Sequence, residues 1–246
     1  MASYKTLSSS LNWATGLGNT GTTTLVTSSG LGSDCGTLVP HFVNTTLALE
    51  QPVVLLSFAQ TYNHYLHIMR KMGVNLSKHS GMHFINGLTQ NDLSSLPAAT
   101  RPALTLHNKW VEFFHYLSGL PGCTLILDGL CLLADTQGLE KAVWFFEACQ
   151  RIVEQTGGRL VVNVYLDEWT EQLVKRLIRR AHYYLAFEAL GSGTAAEVSG
   201  QLKAAPAHLY CQISAREKGF KPAMLHYKVS DSTVQFFSPG QSRIVL

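Results

Sequence analysis

Three continuous apolar runs of strand length, at 52–58 (PVVLLSF), 123–130 (CTLILDGL) and 159–166 (RLVVNVYL), alternate with segments of helical spacing, and this alternation narrows the fold more than any other feature. A strand that is apolar at every position, rather than at every second one, is buried on both faces. That environment is found in parallel sheets covered by helices on both sides. The segments 61–73, 104–120 and 138–158 supply the helices. In the first, Tyr62, Tyr65, Leu66, Met69 and Met72 share a face and Gly73 ends the helix; Gly157 and Gly158 stop the last. An earlier unit has the same form: a strand over 22–29 closed by Gly30 and Gly32, then a helix over 37–49 with Leu38, Phe42 and Leu49 on one face. Pro40 is tolerated there because it falls in the first turn. A short strand is expected at 81–87 and a further helix at 169–181.

Beyond residue 181 the pattern turns strand-rich. Segments 182–190, 207–214, 224–231 and 232–237 all read as strands, the last two forming a hairpin that turns at 230–232. The expected fold class is therefore α/β, a mostly parallel central sheet flanked by helices, with antiparallel strands added by the C-terminal part. One domain is expected over 22–246, preceded by a Ser/Thr/Gly-rich arm, flexible or partly packed, over 1–21. A chain of 246 residues that is 46% apolar can bury a sizeable core. Its 14% of charged residues falls below the roughly 25% of ordinary soluble domains, so partner chains are expected to cover part of its surface.

The formal charge of +3 is too small to mark a nucleic-acid binder, for which a local basic patch matters more. Five scattered cysteines without C-x-x-C spacing argue against a disulfide framework and against structural zinc. No run reaches the length of a membrane span, and the first residues do not have the form of a secretory signal. A reducing compartment is expected, the cytoplasm, with the nucleus as a second location.

The layout of strand, glycine-bearing loop and helix at 22–49 is the one that cradles phosphates, in the form G-x-x-x-x-G-K-[ST]. In the window 27–34 only Gly32 stands where that motif requires it, with Gly30 an extra. Ser33 takes the place of the lysine and Asp34 that of the Ser or Thr. A carboxylate at this place repels a triphosphate, and Asp34 is expected instead to cap the helix. Asp128 ends the apolar run TLILD two strand and helix units later, where an aspartate of the Walker B type holds magnesium. An aspartate that merely caps a loop satisfies the same pattern. The histidine pairs His64/His67 and His79/His83 lack a Cys or carboxylate at fitting distance, so no metal is expected. The aromatic runs 110–116 and 143–149 have helical spacing, which suits core or subunit contact rather than base stacking. No G-x-S-x-G turn supports a serine hydrolase.

The segments PVVLLSFAQTYNHYLHIMRKMGVNL, CTLILDGL and LAFEALGSGTAAEVSGQL, and above all the ending LHYKVSDSTVQFFSPGQSRIVL, resemble the Elongator complex protein 6 family, essentially from residue 22 onward. The resemblance implies a RecA-like ATPase fold and a ring-shaped heterohexamer with the fourth and fifth Elongator subunits, two copies of each. It also implies a link to the catalytic Elongator subcomplex, and tRNA binding by the assembled ring during wobble-uridine modification. In catalytic RecA-like ATPases the strand matching VVLLSF leads into a glutamate, whereas Ala59 and Gln60 follow Phe58 here. With Ser33 in place of lysine as well, the chain is expected to be non-catalytic and to hold no cofactor. Two basic clusters are candidate contacts for RNA or for a neighbour's nucleotide phosphates. One is Lys175, Arg176, Arg179 and Arg180 at i, i+4 spacing; the other is Arg216, Lys218 and Lys221 in a glycine-bearing loop. A solvated helix face or an ordinary solubilising loop explains the same residues. The alternatives are a divergent active ATPase, and an interaction protein without an RNA role.

Overall fold

The computed structural model describes residues 9, 13, 17–30, 35–87, 110–190, 197–213, 222–230 and 234–240. Strand β1 (Thr23–Ser29) is followed by a 3-10 turn (Cys35–Leu38), helix α1 (Val39–Ala48), β2 (Val53–Ser57), α2 (Tyr62–Lys71) and β3 (Met82–Asn86). Then come α3 (Trp110–Ser118), β4 (Thr124–Asp128), α4 (Leu130–Gln137), α5 (Leu139–Gln155), β5 (Arg159–Tyr165), α6 (Glu171–Ile178) and β6 (Tyr183–Glu188). The last described elements are β7 (Gly200–Pro206), α7 (Ala207–Ile213), β8 (Ala223–Val229) and β9 (Val234–Phe237).

These nine strands make one sheet in the order β3-β2-β4-β5-β1-β6-β7-β8-β9. The first six are mutually parallel and β6 to β9 pair antiparallel, as the sequence pattern requires. Every residue of β2 and β4 is buried, because helices lie on both faces. Alternate residues feed two cores. Leu25, Leu125 and Val162 pack towards Phe113 of α3, Phe145 of α5 and Leu177 of α6. Val26, Ile126 and Val161 pack towards Phe42 of α1 and Tyr65 of α2. Trp13 and Leu17 join the second core, Trp13 lying edge-on to Tyr183, and Arg159 donates from Nε to the Gly18 carbonyl at 2.7 Å. The aromatic runs divide: Phe113, Phe145 and Phe146 are core, while Trp144 stacks on Trp110 and is 51% exposed.

Three elements depart from the sequence expectation. Segment 207–214, read as a strand, is helix α7 over Ala207–Ile213. It starts directly at the end of β7, where the Ala207 N–H donates to the His182 carbonyl and the Ala207 side chain is fully buried. Strand β7 was not expected: its core-facing positions are Leu202 and Ala204, and small alanines give little strand signal. Helix α4 was not expected either, since it has only eight residues, set between Gly129 and Gly138, both at positive φ.

Candidate functional site

Parallel pairing brings the carboxyl ends of β1, β2, β4 and β5 together, and a crevice at such ends is where open α/β sheets bind ligands. The register sets Ser57 of β2 opposite Asp128 of β4, and Asp128 opposite Asn163 of β5. These three polar residues form a row across strands that are otherwise apolar. The Ser57 hydroxyl donates to Asp128 Oδ2 at 2.9 Å, the Tyr65 hydroxyl of α2 donates to the same oxygen, and Asn163 Nδ2 donates to Oδ1 at 3.3 Å. Ser57 Oγ in turn accepts from the backbone N–H groups of Ala59 and Gln60, which fixes the turn after β2. Asp128 is 4% exposed and Asn163 2%, and Asn163 Oδ1 has no hydrogen-bond partner among the described residues. Asp128 and Asn163 of the row, with Tyr65, line a cavity of about 450 Å³, walled also by Ser28, Thr37, Gln60, His64, Leu132 and Val234.

Gly129 lies beside this floor at φ 77°, and a Cβ there would come within 2.9 Å of the Ala59 Cβ. Glycine therefore lets the chain leave β4 against the β2 turn. Of the residues read as a phosphate loop, Gly30 closes β1 at φ 83°. Gly32, Ser33 and Asp34 lie outside the described residues. Helix α1 starts after the 3-10 turn, with Leu38 as its N-cap, no side-chain cap bond, and Pro40 in the first turn. No lysine or arginine occurs anywhere between Lys5 and Arg70, a sequence feature more telling than the single missing lysine.

The basic stripe is elsewhere. Gln150 Nε2 donates both to Thr23 Oγ1 and to the Arg180 carbonyl, which puts the end of α6 beside the first residue of β1, at the sheet end opposite the cavity. Lys175 pairs with Glu171, Arg176 with Glu140 and Arg180 with Glu147, at 2.7, 2.7 and 2.8 Å. Arg179 is exposed and has no ion pair among the described residues. Arg216, Lys218 and Lys221 lie outside the described residues. His64 lines the cavity, whereas His83 Nδ1 bonds to the Tyr116 hydroxyl at 2.7 Å. Burial lowers the His83 pKa and pushes that of Tyr116 up to about 12. Among the described residues no three of His, Cys, Asp and Glu come together as a metal site, and no helix is long and apolar enough to cross a membrane.

The family model "Elongation complex protein 6" matches residues 4–114. Elongator complex protein 6 of Xenopus laevis is 30% identical over 241 residues, spanning 87% of this chain and 89% of the relative. The chain belongs to the Elongator complex protein 6 family. The Elongator complex protein 6 of Homo sapiens is 24% identical over 247 residues, with 87% and 90% covered. A solved KaiC-like protein from the archaeon Pyrococcus horikoshii superimposes with a TM-score of 0.60 at 10% identity, over 89% of this chain and 90% of that one. The fold is therefore RecA-like, which at this identity speaks for architecture alone. The Elongator complex protein 6 model stops short of Asp128 and Asn163, so the polar row straddles its limit: Ser57 lies inside it and the two amide and carboxylate members lie beyond it.

Proposed function

We propose that this chain is a non-catalytic RecA-like subunit of the Elongator complex, placed in its accessory ring with the fourth and fifth subunits, where it supports tRNA binding for wobble-uridine modification in cytoplasm and nucleus. The observation that carries this is the cavity wall. It keeps the aspartate of a RecA-like site but offers no lysine or arginine among its described residues, and Ala59 and Gln60 take the place of the water-activating carboxylate. Phosphoryl transfer is catalysed by positioning and by charge stabilisation, so a site with one carboxylate and no cation has little with which to accelerate it. Asp128 moreover already receives three neutral donors from its own chain. Such a domain contributes to a ring through its surfaces, in keeping with its low content of charged residues.

Native mass spectrometry with ATP and magnesium tests the assignment. The chain alone is expected as a small nucleotide-free species, and on co-expression with the fourth and fifth subunits as a six-subunit assembly. A nucleotide-loaded homo-oligomer that ignores those subunits would establish the divergent ATPase instead. For RNA, Arg179, which has no ion pair among the described residues, is the informative position. In the assembled ring, Arg179→Gln is expected to lower the slope of log affinity against log salt by about one if the residue meets a phosphate. Arg176→Gln, whose charge is already engaged by Glu140, should lower it by less. Equal slopes for all variants and the parent would remove this helix from the RNA surface.

A further inference from the structure

We propose that the cavity at the carboxyl ends of β1, β2, β4 and β5 binds a small organic cation, an alkylguanidinium or alkylammonium, with its head on Asp128 and Asn163 and its stem along the apolar wall. This goes beyond the ring-subunit assignment, which requires only that the cavity not turn over nucleotide.

The floor presents acceptors. Asp128 receives hydrogen bonds from Ser57, Tyr65 and Asn163, all neutral groups, and has no salt-bridge partner among the described residues. Asn163 uses its Nδ2 on Asp128, and its buried Oδ1 has no donor among the described residues. A carboxylate held in a low-dielectric site without a countercharge, next to an unsatisfied carbonyl, favours a ligand that brings both positive charge and N–H groups. A guanidinium brings both in one plane, and its fork can span two neighbouring oxygens. His64 is the one basic side chain on the described wall. The sequence around β1, α1 and β2 adds no lysine or arginine, so nothing there offsets the charge of a phosphate.

The remainder of the wall fits a hydrocarbon stem. Pro40, Ile68, Met72, Leu132, Val229 and Val234 line it, and the volume of about 450 Å³ lies in the range of small-ligand sites. A bare divalent ion is a poorer occupant. One carboxylate and one amide oxygen are too few ligands, and no cluster of three metal-binding side chains exists among the described residues.

Isothermal titration calorimetry on the full chain tests this with four probes: butylguanidinium, its uncharged isostere butylurea, magnesium alone, and ATP with magnesium. Butylguanidinium is expected to saturate one site with a Kd on the order of 1 mM or tighter, and to bind about tenfold or more above butylurea. Asp128→Asn keeps the shape and removes the charge, and should weaken butylguanidinium about tenfold or more while leaving butylurea unchanged. If circular dichroism shows Asp128→Asn unfolded, Asn163→Leu takes its place, with a several-fold loss expected for butylguanidinium alone. No saturation by butylguanidinium, equal binding of the urea, or preferential binding of magnesium or of ATP with magnesium through Asp128 would overturn the proposal. Failure of butylguanidinium to saturate, or equal binding of the urea, leaves the ring-subunit assignment standing, which falls instead on nucleotide turnover by the chain alone or on a nucleotide-loaded homo-oligomer, so the two fail separately.

Discussion

Phe145→Ala is expected to remove about 3–5 kcal/mol of folding free energy, read as a lower urea midpoint at an unchanged denaturant slope. Phe145 is fully buried in the middle of α5. It is near-parallel to Phe113 at 5.7 Å and tilted against Trp110 and Phe114 at 5.3 and 5.6 Å. Truncation removes one member of a four-ring cluster whose other three rings are all anchored on α3, so they can collapse into the space only if that helix moves. The loss also includes the ring-to-ring attraction, about 0.5–1.5 kcal/mol for a well-placed pair. A cost below about 1 kcal/mol would mean that α3 shifts freely on α5 and that this face is not tightly packed.

Asp128→Ala is the second large effect. Ser57, Tyr65 and Asn163 would all lose their acceptor, and each stranded buried donor costs about 1–3 kcal/mol. Water admitted through the adjoining cavity re-satisfies part of this, so the expected net loss is about 2–4 kcal/mol, again by urea denaturation. Asp128→Asn keeps one acceptor oxygen and should cost less than the alanine variant. If alanine and asparagine cost the same, the charge rather than the acceptor geometry holds the row. If alanine costs nothing, the row is held by its strands and the three bonds are incidental.

The sheet was legible because a strand covered on both faces must be apolar throughout, and runs such as PVVLLSF leave no other interpretation at that length. Asp128 was legible for the opposite reason, as a charge at the end of such a run. Asn163 was not singled out, although its signal was available: it is a lone amide inside RLVVNVY, and its meaning appears only when the register sets it opposite Asp128. Helix α7 was misread because Tyr210 and Ile213 are good strand residues and seven residues are too few to display a helical period. Its state is decided by the buried Ala207 at the end of β7, a tertiary fact. The separation of the basic stripe from the cavity was equally out of reach, since it depends on Gln150 bridging α5 to Thr23 and Arg180 across 127 and 30 residues.

The place of β1 has a consequence for how the molecule is made. Its two neighbours, β5 and β6, are supplied by residues 159–188, so the earliest of the described strands sits in the middle of the nine-stranded sheet with no partner until those residues have been made. At ordinary rates of synthesis the delay is about ten to thirty seconds, during which an apolar strand and the face of α1 that should cover it stay exposed. β2 and β3 can pair early, but β1 cannot pair until residues 159–188 have been made. Truncations before residue 188 leave β1 without one or both of its partners and should yield aggregates rather than a smaller folded unit.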